Sequence, residues 1–130
     1  MVSGKYRVLV VDDDQGLLRL LCLRLTSSGY AVKAAESGEQ ALEQVPVFKP
    51  HLIITDLKMD GMDGVTLFNR VHSRNPSLPV IILTAHGTIP DAFEAASRGV
   101  FAYLTKPFDS KVLLEHVARA LDVSEQSLAG

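Results

Sequence analysis

The stretch Val8-Leu9-Val10-Val11-Asp12-Asp13-Asp14 is an apolar run of strand length that ends in three consecutive carboxylates. The apolar residues do not alternate with polar ones, so both faces of this strand are buried, as in a parallel sheet covered by helices. Gln15 to Ser27 follows, with leucines at 17, 18, 20, 21, 23 and 25 at helical spacing, and Gly29 lies just past its end. Asp14, immediately before that helix, reads as its N-cap. One βα unit is therefore legible within the first 29 residues.

The same unit recurs along the chain. Tyr30 to Ala34 reads as a second strand. Ser37 caps a helix to about Val45, with Pro46 and Pro50 in the loop beyond. Leu52-Ile53-Ile54-Thr55 is a third buried strand, and the loop Asp60-Gly61-Met62-Asp63-Gly64 leads into a helix from about Val65 to Arg74. Pro76 and Pro79 bracket the next turn, and Val80-Ile81-Ile82-Leu83 is the fourth strand. Thr88 to Ser97 reads as a helix, with Thr88 and Asp91 spaced like a capping box and Pro90 tolerated in the first turn, and Gly99 closes it. Val100 to Leu104 is the fifth strand. Asp109 caps a last helix to about Leu121 or Asp122, and residues 124–130 form a polar, small-residue tail. The pattern is (βα) five times, which predicts an α/β domain with one doubly wound, five-stranded parallel sheet. No internal repeat or low-complexity segment interrupts it.

Composition fits this reading. A chain of 130 residues, 47% of them hydrophobic, fills one core. Thirteen basic against fifteen acidic residues give a net charge of -2, too little positive charge to track a phosphate backbone, so no direct nucleic-acid binding is expected. The single cysteine, Cys22, lies among leucines and reads as a small core residue. No secretory signal and no membrane-spanning stretch is evident, and a reducing, cytoplasmic setting is expected.

Sheets of this kind place functional groups in the loops beyond the carboxyl ends of the strands. Asp12, Asp13 and Asp14 follow the first strand, Asp56 the third, Thr84 and Ala85 the fourth, and Lys106 and Pro107 the fifth. Any one such aspartate is commonly just a helix cap, and a lone lysine is commonly just a surface residue. The set together is more specific. Clustered carboxylates repel one another, and a hard divalent cation with oxygen ligands relieves the repulsion. Phosphoryl transfer needs positioning and charge neutralisation more than covalent chemistry. A cation, Lys106 and the Thr84 hydroxyl can cradle three equatorial oxygens, with Asp56 as the in-line nucleophile forming an acyl phosphate.

The segments VLVVDDD (8–14), LIITDLKMDGMDG (52–64), VIILTAHG (80–87) and FAYLTKPF (101–108) resemble the receiver family of two-component response regulators over roughly residues 5–122. The resemblance implies a flavodoxin-like receiver fold and phosphorylation of Asp56 by a sensor histidine kinase, with Mg2+ as cofactor and Mn2+ as a substitute. It implies Asp13 as direct metal ligand, Asp12 acting mainly through water, the carbonyl of Lys58 and the Asp56 carboxylate completing the site, Thr84 and Tyr103 as a switch pair, and Lys106 on the phosphate. It further implies a cis Lys106-Pro107 bond and Lys58 and His86 as residues that tune phosphoryl lifetime, and a phosphorylation-dependent homodimer is expected from the apolar surface that Phe93, Val100, Phe101 and the last helix offer to a partner receiver. MDGMDG, TAHGTIPDA and FAYLTKP are similar to the receivers of NtrC-type, sigma-54-dependent activators of the GlrR (QseF) kind. Most receivers carry proline where this chain has Asp60.

Two other readings compete. A haloacid dehalogenase-type phosphatase also uses a nucleophilic aspartate and Mg2+, but needs a second acid two residues on, where this chain has Lys58. A flavodoxin-like nucleotide binder needs a glycine- or hydroxyl-rich loop after the first strand, where this chain is acidic. Within the receiver reading, residues 1–123 are the phosphoacceptor domain and 124–130 the start of a linker to output domains outside this chain, a stand-alone regulator being the alternative. The expected output face comprises the helix over about Thr88 to Ser97, the fifth strand and the last helix.

Overall fold

The computed structural model describes residues 6–85, 94 and 97–129, with side chains to Asp122. Its elements run β1 (Arg7–Val11), α1 (Gln15–Ser27), β2 (Ala31–Ala35), α2 (Gly38–Phe48), β3 (Leu52–Asp56), α3 (Gly64–Arg74), β4 (Val80–Thr84), β5 (Ala102–Thr105) and α4 (Ser110–Ala129). All strand pairs are parallel, in the order β2-β1-β3-β4-β5. The expected doubly wound sheet is thus the observed one.

Alternate residues of each central strand feed opposite faces. Val8, Val10, Leu52, Ile54, Ile81 and Leu83 pack with Leu18, Leu21 and Leu25 of α1 and Leu113, Val117 and Leu121 of α4. Leu9, Val11, Ile53 and Ile82 pack with Ala41 of α2 and Leu67, Phe68 and Val71 of α3. These residues are at most 6% exposed, so each large aliphatic side chain contributes about 1.5–3 kcal/mol by burial. Cys22 is partly buried against the first of these layers, and burial pushes its thiol pKa up.

The caps follow the sequence. Asp14 Oδ1 accepts from Leu17 N–H at 3.2 Å, Ser37 Oγ from Gln40 N–H at 3.1 Å, and Asp109 Oδ1 from Lys111 N–H at 2.8 Å. Gly29 and Gly99 take positive φ, as helix-closing residues do.

Several boundaries differ from expectation. α2 does not stop at Val45 but carries Pro46 inside and ends at Phe48. Proline removes one N–H from the last turn, and the helix closes without it because Lys49, in the left-handed region at φ 53, donates its N–H to the Val45 carbonyl. The last helix does not end near Asp122 but runs to Ala129, since residues 110–129 contain neither glycine nor proline. β5 begins at Ala102 rather than Val100, which is buried and turned into the core. Glu94, Ser97 and Arg98 are helical, with an Arg98 Nη2 to Glu94 Oε1 ion pair of 2.9 Å across one turn. The remainder of the expected helix, including the Thr88–Asp91 capping box and Pro90, lies outside the described residues.

Candidate functional site

The sheet order reverses between β1 and β3, a switch point of the kind at which doubly wound sheets bind ligands beyond the carboxyl ends of their strands. Asp12 and Asp13 leave β1 on one side of it, and Asp56 is the last residue of β3 on the other. Carboxylate oxygens of these three residues lie within 4.8 Å of one another. Lys106 enters from the end of β5, its backbone N–H held at 2.7 Å by the Thr84 carbonyl. Its Nζ stands 3.3 Å from Asp12 Oδ2 and 3.4 Å from Asp56 Oδ1.

The three carboxylates are not equivalent. Asp12 is buried, and both its oxygens are engaged: Oδ1 accepts from Asp14 N–H at 2.9 Å and Oδ2 faces Lys106. Asp13 is exposed, and its Oδ2 accepts from Asp60 N–H at 3.1 Å, leaving Oδ1 outside that bond. Asp56 is half-buried, with Oδ1 accepting from Leu57 N–H at 2.9 Å. Burial pushes the Asp56 carboxyl pKa up; Lys106 pulls against this, the Asp12 charge adds to it, and the Leu57 N–H opposes it again. The site therefore holds an all-oxygen acidic set against one ammonium group. That donor chemistry fits a hard divalent cation, with Asp13 the most accessible of the three carboxylates.

The loop from Leu57 to Asp63 walls one side. Gly64 N–H donates to Leu57 O at 2.8 Å, and a Cβ on Gly64 would press against the Asp56 carbonyl oxygen, so only glycine lets α3 start this close to the end of β3. Asp63 caps α3 by accepting from Thr66 N–H at 2.8 Å. Met62 packs on Gly38 at the start of α2. None of these three roles was read from the sequence, although an Asp-Gly pair at the head of a periodic segment is a helix-start signal.

Of the other candidate residues, Thr84 is buried at the end of β4, level with Thr105. Tyr103 lies beside Ile82 and packs against the α2–α3 side of the core, its hydroxyl oxygen buried. Lys58 is exposed in the loop after β3. His86 lies outside the described residues. The Lys106-Pro107 peptide bond is cis, as the resemblance implied.

A model of the response regulator receiver domain matches residues 8–118. The chain belongs to the response regulator receiver family. This receiver is 53% identical over 117 residues to the transcriptional regulatory protein GlrR of Escherichia coli, covering 90% of this chain and 26% of that protein. It is 38% identical over 112 residues to the DNA-binding transcriptional regulator NtrC of Klebsiella pneumoniae, covering 86% of this chain and 24% of that one. The chain thus spans about a quarter of the length of these relatives. A receiver domain protein from Methanospirillum hungatei superposes with a TM-score of 0.89 at 27% identity, covering 95% of this chain and 99% of that one. The likeness to NtrC-type regulators read from the motifs agrees with these relatives.

A separate cleft of about 580 Å³ opens at the opposite pole of the sheet, lined in part by Arg7, Lys49, Arg70 and Arg74. Lys49 and Arg74 sit where α2 and α3 end, and helix C-termini attract cations on their own account. Among the described residues, no helix is long and apolar enough to cross a membrane.

Proposed function

We propose that this receiver accepts a phosphoryl group on Asp56 from the phosphohistidine of a sensor histidine kinase, and that the modification switches an output. The observation that supports it most is the Lys106 ammonium set between Asp12 and Asp56 at the sheet's switch point, with Asp13 alongside. An Asp56 carboxylate oxygen attacks phosphorus, and the bond from phosphorus to the donor nitrogen breaks, its electron pair leaving with the imidazole. Asp13, Asp56 and the Lys58 carbonyl would hold Mg2+, or Mn2+ in its place, with Asp12 acting through water. Such a cation supplies charge neutralisation on the phosphoryl oxygens. Lys106 leaves its carboxylate partners to meet a phosphoryl oxygen, and the Thr84 hydroxyl meets another. The chain acts as a regulatory phosphoacceptor rather than as an enzyme on an outside substrate.

Thr84 and Tyr103 form the switch pair: drawing Thr84 toward the phosphoryl group repositions the loop after β4, and Tyr103 follows. The change is read on the face made by the helix over about Thr88 to Ser97, β5 and α4, through which two phosphorylated receivers associate. Residues 1–123 are the phosphoacceptor unit, and in a longer parent protein of the sigma-54-activator kind residues 124–130 lead toward output domains. Lys58 and His86 tune how long the phosphoryl group persists, and the protein works in the cytoplasm.

Beryllofluoride with Mg2+ mimics the aspartyl phosphate and tests site and output together. Amide NMR shifts should appear around Asp56 and spread across residues 84–121, with a rise in sedimentation coefficient. Shifts confined to the immediate site, with unchanged sedimentation, would refute the output face. No shifts at all would refute the site.

A further inference from the structure

Asp60 touches the site through its backbone. Its main-chain N–H donates to Asp13 Oδ2 at 3.1 Å across 47 residues of sequence, tying the loop after β3 to the loop after β1. The loop that carries it is fixed on both sides. Leu57 N–H is held by Leu83 O at 3.2 Å, and Gly64 N–H closes back on Leu57 O at 2.8 Å. Gly61, at φ 79, lies beside the Glu39 carboxylate, and Met62 packs on Gly38. The donor is therefore presented by a docked segment, whereas the acceptor is the exposed carboxylate of the cluster.

We infer that the Asp60 N–H is a positioning group for Asp13: it holds Oδ2 and so turns Oδ1 toward the cation pocket before any cation arrives. This rests on the cation-binding reading of the site given above. An exposed aspartate otherwise samples several rotamers, and a cation that selects one must bear the cost of ordering it. A carboxylate already held by a backbone donor avoids part of that cost. Proline at position 60 would have no N–H and could not make this bond. The effect belongs to the main chain, so the Asp60 carboxylate can be removed without losing it.

Two variants separate these contributions. Asp60→Ala removes the carboxylate and keeps the N–H, whereas Asp60→Pro removes both. Mg2+ dissociation constants from calorimetric titration should be about five-fold weaker in Asp60→Pro than in Asp60→Ala, the size of one ordinary hydrogen bond. Thermal midpoints in EDTA should be a few degrees lower in Asp60→Pro than in Asp60→Ala, because the bond is already present in the metal-free fold, whereas a merely structural role would lower the midpoint and leave the Mg2+ affinity unmoved. Equal Mg2+ affinities in the two variants would overturn the inference while leaving the cation site standing. A parent chain that binds no Mg2+ would overturn both. Should Asp60→Pro fail to fold, hydrogen exchange decides: the Asp60 amide of the metal-free parent should exchange several-fold more slowly than that of Asp13→Ala, and equal rates would overturn the inference.

Discussion

Replacing Lys106 by methionine keeps the aliphatic stem and removes the charge that stands between Asp12 and Asp56. The Asp12 side chain is only 2% exposed, so its charge has no route to water once its partner is gone. Removing one partner of a fully buried pair costs about 3–5 kcal/mol. Here Lys106 retains 19% exposure and Asp56 12%, and the cluster is open on the Asp13 side, so solvent screens part of the effect. A loss of about 2 kcal/mol is expected without metal. For a chain of this length that is roughly 6–10 °C in Tm. Metal affinity should move the other way. Lys106→Met leaves three carboxylates with no competing ammonium, so Mg2+ should bind at least as tightly as to the parent. Asp13→Ala loses an oxygen ligand and should bind markedly more weakly. Mg2+ at ten times its dissociation constant should return about 1.4 kcal/mol to Lys106→Met. Thermal denaturation in EDTA and in Mg2+, with calorimetric titration of both variants, makes the comparison. A Lys106→Met chain as stable as the parent in EDTA, or one that loses Mg2+ affinity as Asp13→Ala does, would refute this division of roles.

Asp56 gives a pH-dependent expectation. Its folded-state pKa is raised, chiefly by burial, so its contribution to stability is full at acid pH, below about 4, and is lost as pH rises through the folded value. Asp56→Asn should therefore be more stable than the parent at pH 7 in EDTA, and the gain should vanish near pH 3; urea denaturation at both pH values checks it. Gly64→Ala should cost about 1–3 kcal/mol, because the new methyl group meets the Asp56 carbonyl oxygen, and equilibrium unfolding should show the loss. Lys58→Ala should change the aspartyl-phosphate lifetime while leaving stability within about 0.5 kcal/mol, because the side chain is exposed, and phosphate-release kinetics beside a melt test both halves.

What the sequence revealed and what it concealed divide along physical lines. The strands were legible because runs such as Val8–Val11 and Val80–Leu83 are apolar without alternation, which a doubly covered parallel sheet requires. Once five strand ends were placed, the gathering of Asp12, Asp13, Asp56 and Lys106 followed from topology alone. That Lys106 bridges Asp12 and Asp56 did not follow, because a rim position does not fix where a four-carbon side chain reaches. The Asp60 N–H on Asp13 carried no signal, since any residue but proline offers the same donor. Gly64 was visible only as part of a glycine-rich loop, because its role depends on a carbonyl oxygen from another element. Pro46 reads as a stop, yet a proline in the last turn costs a helix one hydrogen bond, and the left-handed Lys49 completes the cap.

Intact-mass measurement after incubation with acetyl phosphate and Mg2+ tests the central claim most directly. The account predicts one added phosphoryl mass in the parent, lost on EDTA treatment before the donor is added, and absent from Asp56→Asn. Undiminished labelling of Asp56→Asn would contradict it.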